Sequence, residues 1–338
     1  MNCELSVGPV WLALLQARLI LLRRHGDLFF ASARGQWSCH EVATVPWEQV
    51  DQVLLVRDPR APNASLPRLA RGEAFTICTF RNGSPLQVEH PEGRPVDSLM
   101  LGSARLYLPV ILGGIVAASR GEVFCVAHVT QSLDGRIACS NGQSQWIGNQ
   151  ADLQHSHRMR ALVDAVVVGA GTVLADNPQL TVRLVEGALP RRVVLSGGGR
   201  VLRDPRALHV LQAPGCDLFV RHGEQLGVVA PQVKVTAVAA GEDGLLLPQS
   251  VQTTLAQAGR HSIFLEGGAF VLSSFLQAGV IDLLQVHIAN LLLGSGLPSF
   301  SLPAVDHVDA GRRFEMEHSS LDGQLLLSCW PRDRDFCG

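Results

Sequence analysis

The chain has 338 residues, 47% hydrophobic and 17% charged, a globular balance that excludes disorder driven by charge and, at roughly 150 residues per domain, allows two domains or one large one. A net charge of −2 provides no basic field for nucleic acid or anionic lipid. Lys234 is the only lysine among the 28 basic residues, which excludes a phosphate-loop nucleotidase and would confine Schiff-base chemistry to that side chain.

At the N-terminus Val10 to Leu22 is apolar, but Glu4 precedes it, Arg18 interrupts it and no small-residue cleavage site follows, so it is not read as a signal peptide. Ala61 to Pro109 is punctuated by Pro, Gly, Asn and Arg and reads as loops and short strands. Leu108 to Ala118 is too short to span a bilayer, which takes ~20 residues. The small residues of Ala117 to Gly121 mark a domain boundary, giving an N-terminal segment 1–120 of unassigned fold and role and a second domain 121–338. The eight cysteines are irregularly spaced, without Cys-x-x-Cys or a zinc-type cluster, so no metal is expected and they read as reduced thiols of a cytoplasmic protein.

From Glu122 the pattern sharpens. Strands are predicted at Val123–Thr130, Ala165–Ala170, Arg192–Leu195, Leu208–Gln212, Asp217–Val220, Val233–Val238, Ser262–Leu265, Leu283–Ala289 and Gln324–Cys329. Helices are predicted at Asn149–Val163, Gln249–Ala258 and Ala269–Gln277. The alternation predicts an α/β fold with a mostly parallel sheet.

The strongest local signal is Leu265-Glu266-Gly267-Gly268-Ala269, a strand end followed by a helix start. Glycines there admit a close ligand, and the free N–H groups of the helix favour a phosphate; a tight structural turn explains the glycines equally well. Glu266 ends a buried strand at the carboxyl edge of the sheet, where such sheets bind ligands. Gly169-Ala170-Gly171-Thr172 repeats the arrangement, followed by Asp176 and Asn177, but Leu174 breaks the dinucleotide pattern. Arg158, Arg160 and Arg183 could hold a phosphate bidentately, or lie on solvated faces. His128 alternates within a strand, where a lone histidine is more often a satisfied core residue, and Trp146 is more often core than a ring stacked on a cofactor.

In order, SLDGRIA (132–138), GQSQWI (142–147), RMRALVDA (158–165), VVVGAGTVLADNPQLTVR (166–183), RRVVLS (191–196), FLEGGAF (264–270), LQAGVIDLL (276–284) and LLLGSGLPSF (291–300) resemble the reductase domain of bacterial riboflavin-biosynthesis deaminase-reductases, the RibD C-terminal family, with a dihydrofolate-reductase-like fold. The resemblance covers nearly two-thirds of the chain. It implies an NADPH-dependent reductase of a phosphoribosylamino-pyrimidine, with hydride transfer to the sugar C1 imine, working as a cytoplasmic homodimer. It implies a substrate set of Ser144, Arg160, Leu180, Arg183 and Glu266. It implies a cofactor set of Thr130, Trp146, Thr172, Asp176, Ser196, Gly197, Arg200 and Gly268, Ala269, Phe270, Val271, Leu272, Ser273 and Ser274. His128, Asp134 and Glu266 become candidate catalytic groups.

Three departures stand out. The family's lysine four residues before Ser-Leu-Asp-Gly is His128 here; the loop after RRVVLS reads Gly197-Gly198-Gly199-Arg200; and the combined His-x-Glu and Pro-Cys-x-x-Cys zinc-deaminase signature is absent from residues 1–120. Two alternatives stay open: a secondary-metabolite reductase with a different substrate, and a dinucleotide-binding pseudoenzyme with a partner-binding N-terminal segment.

Overall fold

Two stretches of apolar runs build the two larger sheets, and the short strands Arg136–Ala138 and Leu297–Pro298 pair as a third. The computed structural model describes residues 8–23, 27–33, 36–41, 52–60, 74–81, 83–90, 95–204 and 206–332, and divides the chain into compact units, Met1–Val116 and Ala117–Cys337.

In the first unit, α1 (Gly8–Arg23) buries Trp11, Leu14, Ala17 and Leu21, a helical stripe. Strands β1 (Leu28–Ala33), β2 (Gln36–Glu41), β3 (Gln52–Val56), β4 (Ala74–Thr79) and β5 (Gln87–Glu89) form a sheet of order β2-β1-β3-β4-β5, with β1 antiparallel to both neighbours and β3 parallel to β4. Phe29, Ala31, Val53, Leu55 and Ile77 form its core. The Cys39 and Cys78 thiols are pushed up to about 12 by burial, which makes them poor thiolates.

The expectation of loops and short strands as far as Pro109 is corrected by α2 (Ser98–Arg120), which contains Pro109. Asp97 opens it, its Oδ1 accepting the Met100 N–H at 2.8 Å, and the proline and the nearly all-round apolar character hid the 3.6 period. With 23 residues it is, among the described residues, the helix long and apolar enough to cross a membrane, which corrects the shorter apolar run; 72% of its most apolar window is buried inside the protein.

The second unit continues through β6 (Phe124–Gln131), β7 (Arg136–Ala138), α3 (Gln150–Leu162), β8 (Ala165–Gly169), α4 (Ala170–Asp176), β9 (Arg191–Leu195), α5 (His209–Gln212), β10 (Cys216–Arg221) and β11 (Val233–Val238). Then follow α6 (Pro248–Gln257), β12 (Ser262–Glu266), α7 (Ala269–Gln277), β13 (Leu283–Ile288), β14 (Leu297–Pro298), β15 (Phe314–Leu321) and β16 (Gln324–Pro331). Nine strands form one sheet, β11-β10-β9-β8-β12-β6-β13-β16-β15, parallel from β11 to β13 and closed by the antiparallel β16 and β15. The expected mostly parallel sheet is therefore present. Valines and alanines of β6 and β8 are buried with Phe275 and Leu276 of α7 and Val251 and Leu255 of α6, as strands covered on both faces require.

One expected strand is corrected: His209–Gln212 is a helix. A short apolar run does not distinguish the two, and a distant residue decides it, since Asn177 Oδ1 accepts the His209 N–H at 2.7 Å at the start of the turn.

Candidate active site

The parallel order puts the carboxyl ends of β12, β6 and β13 side by side, with Glu266 opposite His128 and His128 opposite Gln285 in register. Helix α3 begins with Asn149, whose Oδ1 accepts the Asp152 N–H at 2.9 Å. Asp152 and Arg160 lie eight residues apart, so one helical face carries both. Arg160 clamps Glu266 through two contacts, Nε to Oε1 at 2.5 Å and Nη2 to Oε2 at 2.6 Å, and gives Nη1 to the Thr181 carbonyl at 3.1 Å. Arg160 is thus a buried partner of Glu266, not a guanidinium standing open for a phosphate. Arg183 keeps an exposed side chain, giving one Nη to Thr181 Oγ1 at 3.1 Å. Its backbone N–H donates to His157 Nδ1 at 3.0 Å; burial, with the Arg160 and Arg183 charges, pushes that imidazole down to about 4.

His128 is buried, as its strand position suggests, but it faces a carboxylate: its Nε2 lies 3.2 Å from Asp152 Oδ1. Thr130 donates its hydroxyl to Asp152 Oδ2 at 2.7 Å, so it supports this pair. Asp134 departs from its catalytic expectation. Its carboxylate accepts from Ser132 Oγ at 2.5 Å, Leu293 N at 3.1 Å and Gly294 N at 2.7 Å, and the Ser132 hydroxyl and those amides hold it at about 2. It ties the β6–β7 turn to the loop after β13.

Among the residues expected to meet a cofactor, Thr172 Oγ1 accepts the Gly268 N–H at 2.9 Å, joining α4 to the start of α7. The N-cap residue Gly268 brings no capping side chain of its own, and Phe270 is exposed in the first turn. A Cβ on Gly169 would strike Val271 Cγ2 at 2.5 Å, which explains the glycine there. Ser144 Oγ donates to Asp176 Oδ1 at 3.2 Å. Trp146, expected in the cofactor set, stands at the surface and not in the core: it is 83% exposed with a φ of 70°. Leu180 is buried with a φ of 55°. A positive φ at bulky residues is strain, which collects at functional sites.

After β9, Gly199 (φ 64°) turns the chain toward exposed Arg200, while Ser196 is buried, so its hydroxyl is not offered to solvent as the loop sequence suggests. The structure brings an acid beside this loop: Glu224 lies 2.6 Å from Arg221 Nε and 3.6 Å from Arg203 Nη2. Sequence reasoning missed Glu224, Asp152, His155, Gln285 and His287. A signal existed for the last two, because polar residues alternate within the apolar strand Leu-Leu-Gln-Val-His-Ile, placing both on one face.

These features gather at the carboxyl edge of a parallel sheet, where α/β folds bind ligands. The model of the RibD C-terminal domain matches residues 123–327. The riboflavin biosynthesis protein RibD of Mycobacterium tuberculosis (strain H37Rv) is 33% identical over 210 residues, covering 60% of this chain and 53% of that protein. The 2,5-diamino-6-ribosylamino-4(3H)-pyrimidinone 5′-phosphate reductase of Methanothermobacter thermautotrophicus is 30% identical over 212 residues, covering 60% of this chain and 95% of that protein. The chain belongs to the RibD C-terminal domain family, and its alignment spans about half the length of the RibD relatives. A Thermotoga maritima deaminase/5-amino-6-(5-phosphoribosylamino)uracil reductase shares the fold over 95% of this chain and 98% of its own, with a TM-score of 0.59 and 20% identity.

Proposed function

We propose that residues 121–338 form an NADPH-dependent reductase of a phosphoribosylamino-pyrimidine. The observation that carries this reading is the meeting of His128, Glu266 and Arg160 at the strand ends beside the glycine-led start of α7. The reductase name of the Methanothermobacter relative, nearly all of which aligns with this chain, supports it.

The residues present fit a dinucleotide. The first turn of α7 after Gly268 offers its amides and its dipole to a diphosphate, Phe270 exposes its ring in that turn, Trp146 exposes a second ring, and Arg200 is exposed for a 2′-phosphate. A bound reduced nicotinamide supplies the hydride. Arg183 takes the substrate phosphate, helped by the Ser144 hydroxyl, while Arg160 holds Glu266 in one orientation toward the sugar amine. His128 stands where the family resemblance places a lysine and serves the reacting nitrogen as a proton-bearing group. The same reading includes a cytoplasmic homodimer. Oxidation of NADPH by purified protein on addition of 5-amino-6-(5-phosphoribosylamino)uracil tests it.

A further inference from the structure

Beside His128 the fold buries a second charged group that the proposed reaction does not use. Asp152 Oδ1 faces two imidazoles from neighbouring strands, His128 Nε2 at 3.2 Å and His287 Nδ1 at 2.8 Å. The three side chains are 9%, 5% and 0% exposed. Among the described residues Asp152 Oδ1, His128 Nε2 and both nitrogens of His287 have no aligned hydrogen-bond partner, each other included, so what joins the three side chains is proximity to one carboxylate.

The chain is built around this carboxylate. Its Oδ2 is occupied by the Thr130 hydroxyl and its backbone N–H by the Asn149 cap. It lies in the first turn of α3, where the helix dipole favours a negative group. A Cβ on Gly148 would fall 2.3 Å from Asp152 Oδ2 and 3.1 Å from Thr130 Cγ2, so the backbone reserves space for it. Burial works against its charge, but the His128 and His287 imidazoles outweigh burial and hold the carboxyl well below the usual range.

The other groups around His128 are a poor match for this task. His155 of α3 packs at 5.5 Å between ring centroids, and burial, with the His128 charge, pushes it down to about 3, so it stays neutral; its Nε2 lies 2.9 Å from Gln285 Oε1 of β13. Phe264 of β12 packs at 5.9 Å. Glu266, opposite His128 in register, is clamped by Arg160.

A carboxylate only accepts, so a ring nitrogen facing it carries the hydrogen. We propose that Asp152 is a positioning residue that selects the protonated nitrogen in both rings, Nε2 in His128 and Nδ1 in His287, and thereby presents His128 to the reacting centre in one fixed pattern. Its consequence for turnover rests on the reductase reading; the protonation pattern does not.

The test is a long-range ¹H–¹⁵N spectrum of the histidine rings in the ligand-free full-length protein at neutral pH, assigned with His128→Asn and His287→Asn, together with Asp152→Asn kinetics. The expected wild-type spectrum shows hydrogen on Nε2 of His128 and on Nδ1 of His287. In Asp152→Asn that pattern is lost and kcat falls roughly 100-fold with the NADPH KM unchanged. Hydrogen found only on Nδ1 of His128 or only on Nε2 of His287 overturns the proposal, as does a folded Asp152→Asn protein with wild-type kcat. Should Asp152→Asn not fold, the wild-type spectrum alone decides. If the wild type fails to oxidise NADPH with the pyrimidine substrate, the reductase reading falls while the spectrum still settles the role of Asp152.

Discussion

Arg160 and Arg183 carry the same side chain and were grouped by resemblance in one substrate set, yet the fold gives them different surroundings. Arg160 is buried against Glu266, and Arg183 is exposed with one weak partner. Arg183→Ala should therefore raise the substrate KM roughly ten- to hundredfold, the ~1.5–3 kcal/mol of a lost charge-assisted contact, and leave the cofactor KM unchanged. Arg160→Met should instead lower stability by about 3 kcal/mol, because it strands Glu266 in a largely dry site. Steady-state kinetics and denaturant unfolding separate the two outcomes; an unchanged substrate KM in Arg183→Ala would remove that residue from the phosphate site. The distinction was illegible in the sequence because the resemblance groups both arginines with Glu266 but does not say which one the carboxylate takes.

At the level of elements, the strand-to-helix turns were legible because glycine pairs after apolar runs mark a backbone that must turn tightly. The α5 turn and the start of α2 were not, since each is decided by one side chain, Asn177 and Asp97, acting across a distance or behind a masking proline. Asn149 has a comparable role for the site: it caps α3 and also donates its Nδ2 to the Leu321 carbonyl at 2.7 Å in the β15–β16 hairpin. Asn149→Ala should cost about 1–2 kcal/mol, read as a lower unfolding midpoint in urea at an unchanged slope. The loop after β9 yields a second prediction. Arg200→Glu should weaken NADPH at least roughly tenfold, again the ~1.5–3 kcal/mol of a charge-assisted contact, while NADH binding hardly changes; equal losses measured by fluorescence titration would show that the loop does not read the 2′-phosphate. Glu224, held between Arg203 and Arg221, came to this loop from the far side of β10, which no local pattern could reveal.

Across the whole molecule, the mostly parallel architecture followed from the strand and helix alternation, whereas the buried histidine cluster needed three elements to converge. That cluster has a consequence for acid stability. His155 and His157 are pushed from 6.5 down to about 3 and about 4, so between those values the unfolded chain binds protons that the folded chain refuses. Stability from these groups is complete above pH 6.5 and is lost as pH falls toward 3. His155→Gln should flatten that slope by up to one proton, about 1.4 kcal/mol per pH unit. Identical midpoint-against-pH curves for wild type and variant would show that His155 is protonated in the folded state.

The central claim, that this site reduces a phosphoribosylamino-pyrimidine, is tested most directly by following NADPH absorbance while purified full-length protein is mixed with 5-amino-6-(5-phosphoribosylamino)uracil. Stoichiometric NADPH oxidation with formation of the ribitylamino product is expected, abolished in Glu266→Gln. NADPH that binds to the protein but is not consumed in the presence of this substrate would contradict it.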